Sequence, residues 1–151
     1  MLGMKELILI ASLLLTSNSW AEELPPLNAD DIASTEYVSN RCWALTRTIS
    51  WFAAEKEFKE KEIVDPGEIK KREKYWISVL FHTVAENHGY ELYSEEAMEH
   101  VKKTHYIYLT AYKDSANEHI DKTGSMLSEL VTADGMLCGE ISWYKDREPK
   151  A

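Results

Sequence analysis

From about residue 30 onward, apolar side chains in this 151-residue chain return every three or four positions, and strict alternation never lasts more than a few residues. That repeat matches the 3.6-residue helical turn and not the two-residue repeat of a strand, which confines the chain to all-α architectures. In the first helical stretch, about Asp30 to Lys61, the series Val38, Cys42, Leu45, Ile49 and Phe52 marks one buried face. Trp43, Trp51, Ala54 and Phe58 lie beside it and widen the apolar arc, so this helix is expected to touch more than one neighbour. Its end alternates acid and base, with Glu55–Lys59 and Glu57–Lys61 in the favourable order for pairs four apart on a solvated helix end.

Punctuation between the periodic stretches is strong. Asp65-Pro66-Gly67-Glu68 offers a capping carboxylate followed by proline at the first helical position, and predicts a second helix from there to about His88, closed by Gly89. Ser94 caps the third, whose first turn carries Glu95 and Glu96 at the positive end of the helix dipole. Met98, Val101, His105, Tyr108, Tyr112, Ala116 and Ile120 continue it at helical spacing. Gly124 predicts a break near Lys122 to Ser125, with Met126, Leu127, Leu130 and Val131 on a following helix, because glycine costs about 1 kcal/mol in a helix interior. A turn at Asp134-Gly135 would then lead into a short last helix over Met136–Tyr144. The expected fold is a small antiparallel all-α bundle, three long helices plus a short C-terminal one, in a single domain over residues 30–145.

The first 21 residues read as a secretory signal peptide. Lys5 gives a weak positive start, Leu7–Leu15 an apolar stretch, and Ser19-Trp20-Ala21 small residues where a signal peptidase cuts. The apolar stretch is well short of the roughly twenty residues a spanning helix needs, which disfavours the rival reading as a retained anchor. Residues 22–29, with adjacent Pro25 and Pro26, form an extended lead-in, and 146–151 a flexible tail. The expected location is periplasmic or secreted, with no membrane insertion after cleavage. In such an oxidising compartment Cys42 and Cys138, the two cysteines of the chain, are expected to pair. The chain-entropy model gives such a bridge about 4–5 kcal/mol.

A formal charge of −9 excludes nucleic acid as a partner and suits a basic one. The chain lacks GxSxG, HExxH, phosphate-binding and dinucleotide-binding glycine strings, CxxC and CxxCH. No catalytic residue, metal signature or cofactor is therefore predicted. Two groups of side chains remain as candidates. His105, Tyr108, Tyr112 and His119 fall along one side of the third helix and are candidate lining for a small-ligand or metal pocket. His105 and His119 are separated by roughly 20 Å of helix and cannot share one ion. Glu96 with His100 and His82 with Glu86 are the better intrahelical pairs, and neither forms Glu-x-x-His. Tyr90, Tyr93, Tyr106, Trp143 and Tyr144 lie at expected helix ends or off the main stripe and are candidate interface residues, since Tyr and Trp anchor protein contacts.

These observations favour a non-enzymatic exported protein that binds a protein or peptide through an acidic, aromatic-rimmed surface. A small-ligand or metal carrier using the His/Tyr side is the alternative. A third reading is a pH-dependent chaperone, suggested by five histidines and many acids whose charge changes on acidification; the architecture is also similar to exported single-disulfide helical proteins such as acid-stress chaperones and toxin-immunity proteins.

Overall fold

A computed structural model describes residues 24–27 and 35–139. Over these residues it is a helical bundle of four α-helices, α1 (Thr35–Glu55), α2 (Pro66–His88), α3 (Glu95–Thr123) and α4 (Glu129–Cys138), with a short 3-10 turn at Lys61–Ile63. No strand occurs among the described residues. The signal-peptide reading, residues 28–34, and everything from Glu140 onward, including Trp143, Tyr144 and the expected tail, lie outside them.

The central element is α1, which packs against α2, α3 and α4, while α2 and α3 meet each other far less. Its predicted stripe is buried at Cys42, Leu45, Ile49 and Phe52, but burial extends around it to Ser39, Arg41, Ala44, Thr46 and Thr48. Small polar side chains tolerate this because the helix itself satisfies them. Ser39 Oγ donates to Thr35 O (2.5 Å), Thr46 Oγ1 to Cys42 O (2.7 Å) and Thr48 Oγ1 to Ala44 O (2.9 Å). Leu27, in the expected lead-in, is buried in the same core. A second apolar cluster of Leu80, Phe81, Val84, Ala97 and Val101 fills the space between α2 and α3, with Trp43, Ile77 and Tyr90 against it.

The capped starts form as the sequence predicts. Asp65 Oδ1 accepts from Gly67 N and Glu68 N, and Ser94 Oγ from Ala97 N. Gly124 ends α3 at φ 77°, a left-handed conformation that glycine adopts without steric cost.

Two expectations are corrected. The first helix stops at Glu55, short of Lys61, because the following residues leave the helical path to bury Phe58 and Glu60. The Glu60 carboxylate accepts from Ser125 Oγ (2.6 Å) and Met126 N (3.1 Å), and Lys59 N donates to Gly124 O (2.8 Å), so this connection fastens the α3–α4 bend. Asp134-Gly135 is no turn. Both residues are buried inside α4, which starts at the Ser128 cap and ends at Cys138, one helix where two short ones are expected.

The predicted bridge forms between Cys42 and Cys138, Cα atoms 5.5 Å apart and 96 residues apart in sequence, and joins α4 to α1.

Candidate functional site

Beside the bridge lies a buried polar cluster. Arg41 Nη2 pairs with Asp134 Oδ2 at 2.5 Å, both side chains wholly inaccessible. Arg41 also donates from Nε to the Tyr112 hydroxyl (3.1 Å) and from Nη1 to the Tyr37 hydroxyl (2.6 Å). Tyr112 donates in turn to Asp134 Oδ2, and Leu27 N to Asp134 Oδ1 (2.6 Å). Burial pushes the Tyr112 phenol well above its ordinary range, and the Asp134 charge pushes it further. Burial alone would lower the Arg41 pKa, but Tyr112 and Asp134 outweigh that and raise it. The charged pair at its centre is matched and closed to solvent, which makes it a fastening for α4 and the lead-in.

Its outer member, Tyr37, opens onto a cleft of about 710 Å³ between the start of α1, the last turns of α2 and the middle of α3. From α1 come Thr35, Glu36, Tyr37 and Asn40; from α2, Thr83, Glu86 and Asn87; from α3, Thr104 and Tyr108. The lining holds two carboxylates and no Lys or Arg. The Tyr37 and Tyr108 rings meet edge-on, with centroids 5.8 Å apart. Burial raises the Tyr108 pKa, with Tyr37 and Glu36 adding to it, so the phenol stays a neutral donor.

At the cleft edge three helices bring together residues that the spacing within any one helix does not connect. Glu36, in the first turn of α1, accepts at Oε2 from His88 Nε2 (3.0 Å) at the end of α2 and at Oε1 from His100 Nε2 (2.6 Å) on α3. Asn87 Nδ2 lies 3.4 Å from Oε2. The two imidazole centroids are 4.2 Å apart, and Tyr90 stacks on His88 at 5.6 Å. Partial burial raises the Glu36 pKa, but the hydrogen bonds from His100, His88 and Asn87 outweigh it and hold the carboxyl below its usual value. No family model matches the chain.

Curated proteins and solved structures yield no match to it either. The site therefore rests on its own geometry.

The expected third-helix group does not converge. His105 is buried and stacked on Trp43 at 3.8 Å. Its Nδ1 faces Asn40 Oδ1 (2.8 Å) and its Nε2 faces Arg47 Nη1 (2.9 Å), which fixes a neutral tautomer with the proton on Nδ1. Desolvation, reinforced by the Arg47 charge, lowers its pKa to about 4. Tyr112 belongs to the buried ion-pair cluster, Tyr108 to the cleft wall, and half-buried His119 stands two turns beyond Tyr112. Among the aromatic candidates, Tyr90 backs the Glu36 cluster, Tyr93 is 48% exposed against Phe81, and Tyr106 is 73% exposed. His100 pairs with Glu36 and not with Glu96, and His82 Nδ1 turns back to Ser78 O at 2.7 Å.

Sequence reasoning missed Arg41, Asp134, Glu36 and His88. A signal for the first two existed: Arg41 adjoins Cys42 and Asp134 lies one turn before Cys138, so pairing the cysteines brings the charges together.

Proposed function

We propose that the chain is exported to an oxidising compartment and acts there as a non-enzymatic binding protein, whose cleft takes a basic side chain of a partner protein or peptide. The observation that carries this reading is the cleft lining, with Glu36 and Glu86 among hydroxyls and amides and no cation. A guanidinium or ammonium entering it would find carboxylate acceptors and the faces of Tyr37 and Tyr108. The Cys42–Cys138 bridge and the signal-like start support export. Among the described residues no helix is long and apolar enough to cross a membrane.

The test is an NMR titration with two synthetic peptides of equal length, one rich in Lys and Arg and one rich in Asp and Glu. The basic peptide alone should shift the amides of Glu36, Tyr37, Asn40, Glu86, Asn87 and Tyr108. No response to it, or shifts scattered over the surface, would reject the reading.

One observation favours a second reading as an acid-responsive chaperone. Acidification places a proton on His105, against Arg47 and inside the packing of Trp43, which works against the closed core. Loss of structure near pH 4 without any gain in suppressing aggregation of a client would eliminate it.

A further inference from the structure

We infer that Glu36, His88 and His100 form a binding site for one divalent transition-metal ion of the zinc type. Their candidate ligand atoms all lie within 4.8 Å of one another, the one such group of three among the described residues. Four ligands around zinc, at 2.0–2.2 Å from it, stand roughly 3.4 Å apart. The two carboxylate–imidazole separations, 3.0 and 2.6 Å, are already inside that spacing and need open by less than about 1 Å. Two imidazoles and one carboxylate favour zinc, copper or nickel over calcium or magnesium, which take oxygen ligands almost throughout. Binding replaces the two Nε2–H···O bonds: each imidazole shifts its proton to Nδ1 and presents the Nε2 lone pair, and Glu36 stays ionised. Any imidazolium loses its extra proton to solvent. Three protein ligands leave a fourth position, and Glu36 also lines the cleft, so the ion would border the space that the partner enters. The trio is supported from outside, by Asn87 on the carboxylate and Tyr90 on His88. This site does not depend on the basic-partner reading; when filled it takes up Glu36 and leaves Glu86 as the carboxylate of the cleft for a basic side chain.

The experiment is isothermal titration of the disulfide-bonded protein with Zn²⁺ alone at pH 7.5, repeated with Co²⁺ and read by visible absorption. One ion per chain is expected, with the intense visible bands of four-coordinate Co²⁺. Glu36→Gln, His88→Ala and His100→Ala should each weaken Zn²⁺ at least about tenfold, the loss that follows when even a supporting residue is removed. His82→Ala and His119→Ala should bind as the unaltered protein does, and circular dichroism of all five variants separates lost ligation from lost folding. A folded Glu36→Gln that binds Zn²⁺ undiminished, no saturable binding by the unaltered protein, or equal losses in the His82→Ala and His119→Ala controls would each overturn the assignment.

Discussion

Arg41 and Asp134, 93 residues apart, form an ion pair with no exposed side-chain surface. Each lies within about one helical turn of a bridged cysteine, so charge and covalent bond hold α4 to α1 at neighbouring positions. Breaking a buried pair is costlier than omitting it, because the remaining charge is stranded. Arg41→Met and Asp134→Asn should each lower stability by about 3–5 kcal/mol in urea unfolding. The double variant should cost clearly less than the two together; strict additivity would show that the residues do not act as a pair.

Reduction of Cys42–Cys138 removes the covalent half of this clamp. Stability should fall by no more than the ~4–5 kcal/mol of the chain-entropy model, since the ion pair persists. Hydrogen exchange on the reduced protein should show α4 amides losing protection before those of α2 and α3. Uniform loss along the chain would contradict the local picture.

His105 sets a pH dependence whose sign follows from its lowered pKa. The folded chain holds it neutral down to about 4, against 6.5 for an ordinary histidine, so between these values the unfolded chain binds the proton more readily. Its contribution is complete above pH 6.5 and is lost as pH falls to about 4. The loss is on the order of 3 kcal/mol at most. Glu36, held below its usual value, adds a loss of the same sign at lower pH. Unfolding free energies of His105→Gln between pH 7 and 4.5 should run flatter than those of the unaltered chain; parallel curves would assign the slope elsewhere.

Glu60 fastens the α3–α4 bend through Met126 N and Ser125 Oγ. Glu60→Ala leaves the buried Met126 N–H without its acceptor and should cost about 1–3 kcal/mol. Glu60→Gln keeps one carbonyl oxygen and should recover part of this in thermal melts. Equal melting of the two variants would argue against the capping role.

Local signals proved readable in this sequence. Asp65-Pro66, Ser94 and Gly124 mark helix boundaries through chemistry acting over a few residues, the α1 stripe followed from periodicity, and the bridge from two cysteines in a chain expected to be exported. Where tertiary contact overrides local preference, the reading went astray. Gly135, which breaks a helix by propensity, is carried inside α4, where its neighbour Asp134 is held by Arg41 and Leu27. Phe58 and Glu60 draw the chain out of α1 although their own sequence suits a helix. The Glu36, His88 and His100 trio takes one residue from each of three helices, a grouping that no spacing encodes.

The central position of α1 also has a consequence for the order of events during folding. Its buried face is completed by Asp134 and Cys138, near the far end of the described chain. A chain emerging N-terminus first, from a ribosome or through a membrane pore, offers α1 long before those partners arrive. Until then Arg41 has no counter-charge and Cys42 a free thiol, so this part of the core closes only when α4 docks. Under the proposed export this delay would be an advantage, because a precursor that cannot finish its core remains threadable.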